Sequence, residues 1–260
     1  MSELILRDMS DGVLRLTLND PSTRNSLSQK MIEELQASLA DAAARVIIIA
    51  ANGPAFSSGH NLKEITAHRA DVDEGRGFFK DLFDKCAELM LAITSSPCPV
   101  IAEVDGLASA AGCQLVASCD LAIATDRSTF CTPGVNIGLF CSTPMVALTR
   151  AVQRKHAMEM LLTGDVISAP EALRIGLVNR VTTHNELKTV TQELAQKIAS
   201  KSAVAIKIGK QAFDAQAGMP VAEAYAFMAQ IMAENLLQAD ADEGIGAFIQ
   251  KRKPRWDQDR

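Results

Sequence analysis

Val13 to Asn19 alternates apolar and polar positions with period two, as a strand with one buried face does, and Asp20-Pro21 ends it in a turn. Ser28 is suited to cap a helix, and Met31, Ile32, Leu35 and Leu39 follow at helical spacing. Arg45 to Ala50 is a continuous β-branched run, which predicts a strand covered on both sides. Asn52-Gly53-Pro54 breaks it. From Asp71 to Ala92 the residues Phe78, Phe79, Leu82, Phe83, Ala87, Met90 and Leu91 form a helical stripe, for which core packing is the simplest reading. Pro97-Cys98-Pro99 stops that helix, Val100 to Val104 is a short strand, Asp105-Gly106 turns, and Leu121 to Ala124 is a further strand. Beyond Thr143 the pattern is helical over 157–162, 169–174, 185–200 and 221–237, interrupted by strand-like Gly176 to Val181. Strands first and helices later predict one α/β core followed by a helical C-terminal extension.

Composition changes this picture little. The chain of 260 residues suits one large α/β domain, and 48% hydrophobic with 4% aromatic content fits close packing of Ala, Leu and Ile. A net charge of -5 argues against nucleic acid as the main partner, since no large positive field would collect phosphates. No stretch is long and apolar enough to span a bilayer, so no membrane partner is expected. The segment Met1 to Asp8 has the character of neither a signal nor a transit peptide, which leads to the expectation of a cytoplasmic protein. Cys86, Cys98, Cys113, Cys119, Cys131 and Cys141 form no C-x-x-C pair, and with four scattered histidines they make no zinc pattern; free buried thiols are expected.

Two segments carry candidate chemistry. Ala108-Ser109-Ala110-Ala111-Gly112-Cys113-Gln114-Leu115 is a small-residue turn into a helix, and Phe56-Ser57-Ser58-Gly59-His60-Asn61-Leu62-Lys63 is a second small-residue loop. Together they could point two main-chain N–H groups at one carbonyl oxygen.

These residues, with Asn19-Asp20-Pro21, Arg24 to Leu27, Asp105-Gly106 through Cys119-Asp120, Ala157 to Gly164, Ala172 through Val178, and Ala247-Phe248 with Lys251-Arg252, resemble the crotonase (enoyl-CoA hydratase/isomerase) superfamily. The resemblance runs nearly end to end. It implies a crotonase-like spiral of repeated ββα units over residues 1–198, and a helical C-terminal trimerisation region over 199–260. It also implies trimers that commonly pair into hexamers, and a coenzyme A thioester as substrate or ligand rather than a bound prosthetic group. The main-chain N–H groups of His60 and Ala111 would form the oxyanion hole, and such a donor is worth roughly 10²–10³ in rate. Arg24, Ser26, Leu27, Ser58 and Lys63 would lie along CoA, with Phe248 and Lys251 reaching it from a neighbouring subunit.

The superfamily's two catalytic glutamates align with Gln114 and Gly134. An amide orients water or a carbonyl but exchanges no proton near neutrality, and glycine offers no side chain. Hydration by a carboxylate pair is therefore not available by the usual route. Asn136, Cys141, Ser142, Cys131 and the His60 imidazole are the candidate replacements, while Glu64 and Asp120 occupy positions that suggest structural roles. The sequence leads to an acyl-CoA enzyme that keeps the oxyanion hole; the alternative is a noncatalytic acyl-CoA-binding or assembly protein.

Overall fold

The computed structural model describes residues 3–40 and 43–256, so both ends of the chain, 1–2 and 257–260, lie outside the described residues. The strands are β1 (Ile5–Ser10), β2 (Val13–Leu18), β3 (Val46–Ala51), β4 (Ala55–Ser57), β5 (Val100–Val104), β6 (Leu107–Ser109), β7 (Leu121–Thr125), β8 (Thr129–Cys131), β9 (Ile167–Ser168) and β10 (Arg180–Thr182). The helices are α1 (Gln29–Leu39), α2 (Leu62–His68), α3 (Arg76–Thr94), α4 (Ala111–Ser118), α5 (Ser142–Ala151), α6 (Arg154–Thr163), α7 (Ala169–Ile175), α8 (Leu187–Ala199), α9 (Ala203–Gln216), α10 (Val221–Leu236) and α11 (Ala239–Ile249).

Six strands form one sheet in the order β1-β2-β3-β5-β7-β10, antiparallel only between β1 and β2. The small sheet has the order β4-β6-β8-β9, with β4, β6 and β8 parallel. Successive turns of chain thus send their first strand (β3, β5, β7) to the large sheet and their second (β4, β6, β8) to the small one before entering helix, which is the crotonase-like spiral of ββα units.

Local chemistry explains the elements. Ser28 caps α1 by accepting from the Met31 N–H at 3.2 Å, and Met31, Ile32, Leu35 and Leu39 are buried as their spacing requires. Strand β1 forms a hairpin with β2 through Asp11-Gly12, both at positive φ, the backbone that a two-residue hairpin turn demands. One face of the large sheet packs Leu14, Leu16, Leu18, Ile47, Ile49, Val100 and Ala102 into the main core. The other packs Val13, Ile48 and Ile101 with Ala195 and Ala199 of α8, and it carries a buried Arg15–Glu103 pair at 2.6 Å.

Helix α3 departs from the expected stripe. It begins at Arg76, and its buried residues are Leu82, Cys86, Leu89, Met90 and Ile93, while Leu91 is 65% exposed. The phenylalanines meet histidines: Phe78 stacks on His68 at 3.7 Å, and Phe83 meets the His60 ring edge-on at 5.3 Å. The strand-like stretch from Gly176 contains a helix cap at Gly176 and a turn, and pairing begins only at Arg180. All six cysteines are free thiols, five of them buried.

The C-terminal helices α9 to α11 dock on the core through Lys210. Its ammonium donates to the Ile93 and Cys98 carbonyls, each at 3.1 Å, and pairs with Asp120 at 2.7 Å. Asp120 also accepts from the Val100 N–H at 2.7 Å, so its carboxylate is structural.

Candidate active site

The residues of interest leave the carboxyl ends of three neighbouring parallel strands. β4 leads into Gly59-His60, β6 into Ala110-Ala111 and on to Gln114, and β8 into Thr132-Pro133-Gly134. This is where open parallel sheets generally bind ligands.

Gly59, at φ +87°, is the point of contact between the first two loops. A Cβ there would stand 2.9 Å from the Ser109 carbonyl oxygen, 3.0 Å from the Ala110 Cβ and 3.3 Å from the Ala111 nitrogen, so only glycine allows this approach. Gly112 in turn sits against the Ser57 main chain. Ala110 holds φ 49°, ψ -115°, a sparsely populated conformation, and its N–H donates to the Cys131 carbonyl at 2.9 Å, tying the second loop to the third. As the first residue of α4, Ala111 has no intrahelical acceptor for its N–H. Among the described residues, no main-chain carbonyl in the turns accepts from the N–H of either His60 or Ala111.

Three buried polar atoms in this region have no hydrogen-bond partner: His60 Nε2, Gln114 Oε1 and Thr132 Oγ1. Such orphans are rare in folded proteins. Gln114 is 4% exposed, in the first turns of α4. The His60 imidazole is covered, its Nδ1 lies 3.1 Å from the Leu27 carbonyl oxygen, and burial pulls its pKa below the usual histidine value.

The third loop is closely packed around Gly134. A Cβ on Gly134 would meet the Cys141 sulfur at 3.0 Å, the Leu139 carbonyl oxygen at 3.1 Å and the Cys141 nitrogen at 3.2 Å. The Cys141 thiol therefore fills the space in which a side chain at 134 would begin. Burial pushes the thiols of Cys141 and Cys131 up in pKa, so neither is a thiolate near neutrality and neither is an activated nucleophile. Cys131 sits 3.4 Å from the Ser109 hydroxyl, and Ser142 is exposed and donates to the Phe140 carbonyl. Asn136 is exposed, with its amide nitrogen beside Gly164 in the turn after α6. The Glu64 carboxylate accepts from the Gln29 N–H at 3.3 Å, at the start of α1.

The expected CoA residues divide. Arg24 and Lys63 are exposed, Arg24 at φ 58° and Lys63 in the first turn of α2, whose cap Asn61 accepts from the Lys63 and Glu64 N–H groups. Ser58 bonds the Arg24 carbonyl through its N–H at 3.0 Å and the Thr23 carbonyl through its hydroxyl at 3.2 Å. Ser26 is buried and donates to the Thr23 hydroxyl at 3.0 Å. The Leu27 side chain is fully buried, so what Leu27 offers the loop is its main chain. Phe248 is 85% exposed and Lys251 is exposed, on and just after α11, which packs chiefly on α9 and α10; within one chain they do not join Gln114.

Asn25, part of the Arg24 to Leu27 motif, organises the loop beside the site. Its side chain accepts from the Asp20 N–H at 2.8 Å and donates to the Asn52 and Ala55 carbonyls at 2.8 and 2.9 Å, fixing the loop that carries Arg24 against β4.

A spiral of ββα units with paired glycine-flanked bends at its strand ends defines a crotonase-type protein, and the enoyl-CoA hydratase/isomerase family model matches residues 8–259. The chain belongs to that family. It is similar to the enoyl-CoA hydratase domain-containing protein 3, mitochondrial, of Xenopus laevis (50% identity, covering 97% of this chain and 86% of that protein) and of Homo sapiens (50%, covering 95% and 81%). Among solved structures, the human domain-containing protein 3 superposes with a TM-score of 0.92 at 47% identity, covering 98% of this chain and all of the other. An enoyl-CoA hydratase of Mycobacterium smegmatis does so with 0.93 at 44%, covering 98% and 99%. These relatives overturn one expectation. The N-terminal composition pointed to the cytoplasm, whereas the similar vertebrate proteins are named mitochondrial, so the composition of a short N-terminal segment does not assign a compartment.

Proposed function

We propose that the protein binds an acyl-CoA thioester with its carbonyl oxygen between the N–H groups of His60 and Ala111, and that it acts as an enoyl-CoA hydratase/isomerase-like enzyme. The observation that carries this reading is the contact of Gly59 with the Ser109–Ala111 main chain, which draws two N–H groups without main-chain acceptors to adjacent loop positions. Charge developing on the thioester oxygen, as enolate or tetrahedral oxyanion, is stabilised by donors already in place. Arg24 and Lys63 supply positive charge for the nucleotide end of CoA. Region 199–260 serves self-association as a trimer or dimer of trimers, in which Phe248 and Lys251 reach a neighbour's ligand.

Hydration itself is slow in this reading. Each general acid or base contributes about 10²–10⁴, and neither Gln114 nor Gly134 supplies one. Steps in which charge develops on the thioester oxygen without a protein carboxylate, such as decarboxylation or thioester hydrolysis, tolerate this site better. The same two positions favour a second reading, a noncatalytic acyl-CoA binder.

The test is a titration with an enoyl-CoA whose acyl group is a push–pull chromophore, such as 4-dimethylaminocinnamoyl-CoA. Hydrogen bonds to its carbonyl move the absorbance to longer wavelength, and that shift is expected on binding. Binding without a shift overturns the oxyanion-hole reading. Solvent deuterium entering the α-carbon of a saturated acyl-CoA excludes the pure binder, and no turnover across a varied thioester panel counts against the enzyme.

A further inference from the structure

The His60 side chain has no part in the proposal above, which uses only the N–H of that residue. Its surroundings are specific. The Leu27 N–H donates to the Gly59 carbonyl at 2.8 Å, and the two segments form a parallel bridge at Leu27 and His60. The Gly59 carbonyl and the His60 N–H belong to one trans peptide unit and point in opposite directions. A bond that holds the carbonyl toward Leu27 therefore aims the His60 N–H away from it. The second bond comes from the ring: His60 Nδ1 lies 3.1 Å from the Leu27 carbonyl oxygen. A carbonyl only accepts, so Nδ1 carries the hydrogen and Nε2 is the bare, buried nitrogen without a partner. Phe83 closes the far side of the ring at 5.3 Å.

We infer that the His60 imidazole is a positioning residue: by donating from Nδ1 to the Leu27 carbonyl, it staples the loop so that both main-chain groups of Leu27 are engaged, and so fixes the direction of the His60 N–H toward the thioester oxygen. This rests on the proposed thioester site. An alanine or other side chain without a donor at this position would leave the two segments joined by the main-chain bridge alone. The bare Nε2 follows from the staple, because the imidazole spends its only hydrogen on the loop and is left without one for a substrate.

Two substitutions separate donor from bulk. His60→Leu keeps apolar volume against Phe83 and removes the donor, while His60→Asn is smaller and places an amide N–H near the position of Nδ1. Amide hydrogen exchange of the segment 57–63 in the free protein is expected to quicken about tenfold in His60→Leu, the factor for a bond worth ~1.4 kcal/mol, and to return toward normal in His60→Asn. With the chromophoric enoyl-CoA, His60→Leu is expected to lose most of the wavelength shift and His60→Asn to recover it. If His60→Leu matches the unmodified protein in exchange and in shift, or if His60→Asn is as impaired as His60→Leu, the staple is overturned. A bound chromophore that shows no shift in the unmodified protein removes the thioester reading and the positioning role with it, whereas equal shifts in all three proteins remove the positioning role alone.

Discussion

Gly59→Ala puts the closest contact of the site under direct strain. The residue sits at φ +87°, where an L side chain costs about 1–2 kcal/mol. Its new Cβ would stand 2.9 Å from the Ser109 oxygen and 3.0 Å from the Ala110 Cβ, with the Ala111 nitrogen at 3.3 Å. Two of these are main-chain atoms held by other bonds: Ala110 N–H is tied to the Cys131 carbonyl, and α4 starts at Ala111. No flexible side-chain end is available to move aside, so an overpacking term of roughly 1–3 kcal/mol adds to the backbone term. The expected destabilisation is about 2–5 kcal/mol, which lowers the melting temperature of a chain of this size by roughly 5–15 °C. The loops must also separate by a few tenths of an ångström, which parts the two donors. Thermal unfolding and the chromophoric enoyl-CoA titration read the two effects separately. A Gly59→Ala protein that melts within 1 °C of the parent and retains the whole wavelength shift would refute the claim that this contact sets the spacing of the donors.

Placing carboxyls at positions 114 and 134 tests the proposed chemistry: Gln114→Glu is expected to raise crotonyl-CoA hydration about 10²-fold, and the refuting outcome is an unmodified protein that already hydrates as fast. Adding Gly134→Glu is expected to destabilise by roughly 1–3 kcal/mol, because its Cβ meets Cys141 and Leu139, with Cys141→Ala recovering part of the loss in a melting assay. Lys210→Met takes a donor from the Ile93 and Cys98 carbonyls and the counter-charge from Asp120, which keeps only the Val100 N–H; a loss of about 2–3 kcal/mol in urea unfolding is expected, and one under about 0.5 kcal/mol would show that the docking bond is dispensable. His60 makes stability pH-dependent. The unfolded imidazole takes up a proton as pH falls through about 6.5, burial holds the folded value lower, and the unfolded state then binds more protons, so stability declines on acidification just below that pH. His60→Asn should flatten the denaturation midpoint across that window, and an unchanged slope would contradict the buried neutral ring.

The long elements were legible because their periodicity is repeated: α1 through Ser28 and four apolar positions, β3 through its β-branched run. The small sheet was not. Its strands hold three residues or fewer, too short for an alternation to register, and they are made by pairing with one another across the spiral. Strand β1 could have been found, since Asp11-Gly12 two residues before a strand is a hairpin signal; only Ile5 of β1 is buried, so its own pattern is weak. Of the α3 phenylalanines Phe78 packs on the core as its spacing suggests, whereas Phe83 faces His60, because helical spacing tells which residues share a face and not what covers that face. At the site, the loop glycines and the Gln114 substitution could be read directly. The thiol that fills the place of a side chain at 134, and the bond from His60 to Leu27 across 33 residues, depend on tertiary approach that no local spacing encodes.

Rungs of a hydrogen-bonded ladder, about 4.8 Å apart, separate the three strand ends that bear His60, Ala111 and Gly134. Such a pitch is a property of the backbone and is indifferent to what any one rung carries. A change at the end of β8, where the Cys141 thiol lies against Gly134, therefore leaves the approach of the loops that follow β4 and β6 in place. On a scaffold of this kind the loops can vary strand by strand while the spacing of their neighbours stays fixed.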